Sequence, residues 1–154
     1  MSTPPKWYLP VATIALIWNL LGCIAYLLGC IAYLSDVTKS PDDIAHMSAA
    51  QQELYASRTA WSTSATAIAV WCGAAGSLGL IIRRRWAMPL LIASLVGLIV
   101  QDVGLFILTN AAAEAGPAAF VLQGLVLLIA IGLVILIRMS ISRGWIPKQV
   151  IQQG

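Results

Sequence analysis

Four long apolar stretches decide what this chain can fold into. They are Tyr8–Leu34, Thr59–Ile82, Met88–Asn110 and Ala118–Ile137. Each reaches the roughly 20 residues that an α-helix needs to cross a bilayer. None alternates apolar and polar residues as a barrel strand would. Of the 154 residues, 60% are apolar and 10% charged, whereas a soluble domain carries about 25% charged residues. A chain this short has too little interior to hide so much apolar side chain from water. The expected fold is therefore all-α: an integral membrane four-helix bundle, one transmembrane domain spanning residues 1–154.

Charge orients the bundle. Lys6, Arg83, Arg84, Arg85, Arg138, Arg143 and Lys148 fall on one side of the expected spans, and only Lys39 and Arg58 on the other. The basic side belongs in the cytoplasm, so both termini are expected inside, with residues 138–154 as a cytoplasmic tail. The expected location is the bacterial inner membrane, as a multi-pass protein. The net charge of +3 is explained by these membrane-flanking residues, and no nucleic-acid partner is expected. The tail from Ser140 is polar and is expected to be partly mobile.

The connections differ in character. Arg83–Ala87 is a tight basic turn, and Pro89 suits the first turn of a helix. Ala111–Pro117 is expected to form a short outer turn. In the longer outer loop, 35–58, Ser40 is an N-cap candidate, followed by Pro41 and two acids, Asp42 and Asp43. That order marks a helix start, so a short surface helix is expected there.

The first span contains a perfect tandem repeat: LLGCIAY at Leu20–Tyr26 and again at Leu27–Tyr33. Seven residues return to within about 20° of the same helix face. The repeat thus preserves the stripe of Gly22, Gly29, Tyr26 and Tyr33, with Asn19 on it. It also lengthens the helix to about 40 Å against about 30 Å of hydrocarbon. Tilting, breaking and protrusion beyond the outer surface all accommodate the excess; protrusion is the expectation. A duplication without function explains the repeat, and a zipper for dimerisation is the alternative.

Trp18-Asn19-Leu20-Leu21-Gly22, Asp36-Val37-Thr38, and Arg83-Arg84-Arg85-Trp86-Ala87-Met88-Pro89-Leu90-Leu91 followed by Gln101 resemble a family of small bacterial four-helix inner-membrane proteins of unknown function. Its members are sometimes labelled sugar transporters. The resemblance extends from the N-terminus to about the third span, and the duplicated LLGCIAY departs from the family pattern. It implies the same fold and location, and it transfers no catalytic or substrate-binding residue.

Asp102 is the most informative polar residue. A carboxylate within a span costs about 2.5 kcal/mol or more unless paired, hydrated or neutral. Gln101 is adjacent, and Gln123, Tyr26 and Ser64 are expected at similar depth on the other three spans, with Asn19 somewhat deeper. If they converge, they form an outward-facing polar pocket. Each also has an ordinary use as interhelical glue, worth about 0.6 kcal/mol. Cys23, Cys30 and Cys72 read as small packing residues.

Enzymatic chemistry is not expected. There is one histidine, His46, and no phosphate-binding loop or zinc spacing, so no cofactor, catalytic residue or metal site is assigned. Two readings are left. The first is binding or transport of a small solute around Asp102; transport would call for a homo-oligomer, since four helices make a thin wall. The second is a structural, accessory or sensing membrane protein whose outer loop meets a partner.

Overall fold

A computed structural model of the chain describes residues 3–38, 60–104 and 111–146, with positions 40, 42, 45, 46 and 48 between them. At 32–37, 60–62, 111–117 and 119 the description is of backbone only. Among the described residues there are four helices and no strand: α1 (Tyr8–Val37), α2 (Ala60–Ile81), α3 (Ala87–Val103) and α4 (Ala111–Ser142). Three of them contain stretches long and apolar enough to cross a membrane, at Tyr8–Ile31, Thr63–Ile81 and Phe120–Ser142. The described part of α3 is 17 residues long. The rest of the third expected span, 105–110, lies outside the described residues.

The helices pack in chain order, α1 on α2, α2 on α3 and α3 on α4, with only light contact between α2 and α4. Small residues set the closest of these approaches. A Cβ added at Gly76 would lie 2.7 Å from the Leu91 side chain, and one at Gly79 would lie 2.7 Å from the Ala87 Cβ. At Gly97 it would meet Ala65 O at 2.9 Å and Ala69 N at 3.0 Å. Glycine at these sites lets two backbones come nearly into contact, which is how apolar helices adhere in lipid.

The core lies at one end of the bundle. Tyr8, Ala12 and Ala15 of α1 meet Leu80 of α2, Ala87 and Leu91 of α3, and Leu133, Leu136 and Ile137 of α4. Tyr8 is 1% exposed and its hydroxyl donates to Leu80 O at 2.9 Å. The chain after α4 turns back over this junction. Trp145 stacks edge-on against Trp7 and Tyr8, with ring centroids 5.8 and 5.7 Å apart, and Ile146 is buried beside them.

One expectation is corrected here. The segment Ala111–Pro117 is the start of α4 rather than a turn. Its four alanines are strong helix formers, and they outweigh the punctuation suggested by Gly116-Pro117. In the tail expected to be partly mobile, Ser140 and Ile146 are buried and Trp145 packs on Tyr8 of α1, and residues 147–154 lie outside the described residues. Aromatic and aliphatic residues placed just past a helix end supply the apolar contact that closes the chain on itself. Of the expected surface helix, one backbone bond is described, His46 N–H to Asp42 O at 3.2 Å; the remainder lies outside the described residues. The LLGCIAY repeat does not break α1, which is continuous to Val37.

Both helices that end at the core do so in the same way. At α2, Arg84 N–H bonds to Gly79 O and Arg83 N–H to Leu80 O. At α4, Trp145 N–H bonds to Ser140 O and Gly144 N–H to Ile141 O. These are paired Schellman bonds, which satisfy carbonyls that a helix end leaves without partners. The motif needs a left-handed residue at its pivot. Gly144 supplies it at φ 72, but at α2 the pivot is Arg83, at φ 55. A side chain there costs about 1 kcal/mol. Arg83→Gly is therefore expected to stabilise the bundle by about 1 kcal/mol, measured by equilibrium unfolding in mixed micelles. A loss of stability would mean that the arginine side chain contributes more than its backbone strain costs.

Candidate functional site

Away from that core the helices leave space between them. A cavity of about 350 Å³ lies in the middle of the bundle and is lined by all four helices. Each wall is a helical stripe. On α3 it is Leu91, Ser94, Leu98 and Gln101; on α4 it includes Leu122, Val126, Ile129 and Leu133, with Gln123 beside them. Trp18 and Gly22 of α1 and Ala69 and Val70 of α2 are part of the remaining wall. Spacings of three and four residues place such side chains on one helix face.

The polar groups in this wall are mostly occupied by neighbouring helices. Asn19 donates both amide hydrogens, to Ala15 O at 2.9 Å and to Ser77 Oγ at 3.2 Å. It rests over Gly73, where a Cβ would collide with its Oδ1. Ser94 Oγ donates to Ala69 O at 2.5 Å, tying α3 to α2. Cys23, which is buried just behind, donates to Val70 O at 3.4 Å. These bonds hold the wall together and leave little for a ligand.

The end of the cavity distant from Leu91 is different. Asp102 lies on the last described turn of α3, about 22 Å of helical rise above Ala87. Its Oδ1 accepts a hydrogen bond from Gln123 Nε2 on α4 at 2.5 Å. The bond bridges two helices and gives the half-buried carboxylate a hydrogen-bond partner. It also leaves Gln123 Oε1 as an acceptor at the cavity rim. The neighbouring Gln101 lines the cavity, and its amide makes no hydrogen bond among the described residues.

The six residues singled out by sequence thus separate. Gln101, Gln123 and Asn19 line the cavity, and Asp102 reaches it through Gln123. Tyr26 does not line it. Ser64 is exposed on α2 and outside the lining. Trp18, Thr66 and Ser94 line the cavity without having been singled out. Ser94 stands two turns before Gln101 on the same face, so the stripe itself was the available signal. No family model, curated protein or solved structure matches this chain.

Proposed function

We propose that this protein is a bacterial inner-membrane protein that binds a small solute in the cavity between its four helices, with Gln101, Gln123 and Asp102 as the polar end of the site. The observation that carries this reading is the joint one of a cavity of about 350 Å³ and a half-buried carboxylate on α3 paired across its rim. That volume is in the range of small-molecule sites. Interhelical glue alone would account for the Asp102–Gln123 bond but not for the space beneath it.

The proposed orientation rests on the core end. Lys6, Arg83, Arg84, Arg85, Arg138 and Arg143 flank the helix ends that meet around Tyr8, and a cluster of lysine and arginine favours the cytoplasm. The site then lies toward the opposite leaflet.

The test is to extract the protein with its surrounding lipid and identify the small molecules that accompany it. Val126→Trp fills the cavity, whereas Leu128→Trp places the same bulk on an exposed position, since Leu128 is 68% exposed. A compound retained by the wild type and by Leu128→Trp but lost from Val126→Trp and Asp102→Ala is expected. If all four proteins carry the same compounds, the site reading fails and the accessory reading takes its place.

A further inference from the structure

The route into the cavity is written in which of its wall residues are exposed. Only three are: Leu21 and Ala25 of α1, and Leu122 of α4. Leu21 and Leu122 are each 57% exposed. Among the described residues, α1 and α4 also make little direct contact along their length. The cavity therefore opens sideways, through the slot between α1 and α4. Both lips of the slot are apolar. Beyond Leu21 and Ala25 lie the exposed Ile24 and Leu28, and beyond Leu122 lie Val121 and Leu125. In a membrane such surfaces face acyl chains, so a solute using this opening comes from the hydrocarbon.

The interior favours the same class of molecule. From Leu91 to Gln101 the α3 wall rises about 15 Å. Its floor is Leu91, Ile129 and Leu133. Asn19 and Ser94, partway up, have their donor hydrogens committed to other groups of the bundle. Toward a ligand the wall offers the Gln101 amide and Gln123 Oε1 at the upper end, with the indole N–H of Trp18 beside Asn19. A polyhydroxylated solute would leave most of its groups unpaired against this wall, at about 1–3 kcal/mol each. A molecule with one polar end and one aliphatic end would match it. The carboxylate beside Gln123 disfavours a negatively charged head.

We infer that the ligand of the four-helix cavity is a single-chain amphiphile with an uncharged, hydroxyl-bearing head, which enters from the bilayer between α1 and α4, places its head on Gln101 and Gln123, and lays its chain on Leu91 and Leu133. This rests on the cavity being a binding site and specifies what it takes.

The experiment uses the full chain in phospholipid nanodiscs with a monoacylglycerol carrying a photoactivatable diazirine in its chain. Crosslinks are mapped by mass spectrometry. Labelling at Trp18, Val126 or Ile129 is expected, saturable and competed by unlabelled monoacylglycerol. The fatty acid of the same chain length should compete at least tenfold more weakly. Val126→Trp should abolish this labelling, and Gln101→Leu, which leaves the volume nearly unchanged, should weaken it at least tenfold. Labelling confined to outward residues such as Ile14 and Ile135, without competition, would overturn the inference. So would equal competition by the fatty acid. If a water-soluble compound were retained in a cavity-dependent way while this probe failed, the site would stand and only its assigned ligand would fall. Failure of both would remove the two together.

Discussion

Replacing Tyr8 by alanine is expected to destabilise the bundle by about 3–5 kcal/mol, the range for removing a large buried aromatic. Tyr8 sits where α1, α2 and α4 meet, and its ring packs edge-on to Trp145 at 5.7 Å. Its loss leaves a hole beside Leu80 and Ile137, fixed by their own helices, and Trp145, held by the turn after α4. Tyr8→Phe keeps the ring and removes only the hydrogen bond to Leu80 O, so it should cost about 1 kcal/mol. The difference between the two variants, measured by unfolding in mixed micelles, separates packing from hydrogen bonding. An unchanged midpoint for Tyr8→Ala would show that the four helix ends hold together without this junction. Equal losses for the two variants would place the whole effect on the hydroxyl.

The second large effect is expected at Gly97. A Cβ there meets backbone atoms of α2, Ala65 O at 2.9 Å and Ala69 N at 3.0 Å. Backbone cannot turn aside as a side chain can, so α2 and α3 would have to separate. Gly97→Val should cost about 3 kcal/mol, the upper end for overpacking. Gly76→Ala meets the Leu91 side chain instead, which can rotate, and should cost less. A methyl group at Gly29, Gly124 or Gly132 would meet no described neighbour within 4 Å. Alanine at these three sites should leave stability unchanged or raise it by up to about 1 kcal/mol. The thermal midpoints of this series, taken in one detergent, test the ordering. Equal losses at Gly97 and Gly132 would show that the α2–α3 contact is not governed by glycine.

Helix existence is legible in the sequence because apolar runs of this length have few other fates. The ends are less so. Ala111–Pro117 resembles a turn because glycine and proline are strong local signals, yet alanine propensity carries α4 through them. Residues 140–146 resemble a solvated tail because serine and arginine are frequent there. What matters is Trp145, placed one residue beyond the left-handed Gly144, where the Schellman turn directs it back onto α1. That is a three-dimensional consequence of a local bond pattern, and hydropathy does not register it.

The candidate site is legible in part. Asp102 and Gln123 stand out because polar groups are costly in hydrocarbon, and the structure brings them into hydrogen-bonding contact. Asn19 stands out for the same reason, but its donors are spent on Ala15 and Ser77. Tyr26 and Ser64 are grouped with them by depth alone. Depth fixes height along the bundle and says nothing of azimuth, and it is azimuth that keeps Tyr26 and Ser64 out of the cavity wall. The two LLGCIAY copies make the same point. Cys23 and Gly22 of the first copy press on Val70, whereas Gly29 of the second has open space around it. Among the described residues, identical heptads on one face differ because α2 flanks the first copy's glycine and not the second's.

The clasp of Trp145 over Trp7 and Tyr8 joins residues from opposite ends of the described chain, and this has a bearing on biosynthesis. The α1–α2 and α2–α3 pairs can associate while the ribosome is still translating. Tyr8, however, stays without its aromatic lid until the segment after α4 has emerged. Until then the side of the Tyr8 ring that Trp145 covers in the folded chain has no aromatic neighbour from that segment.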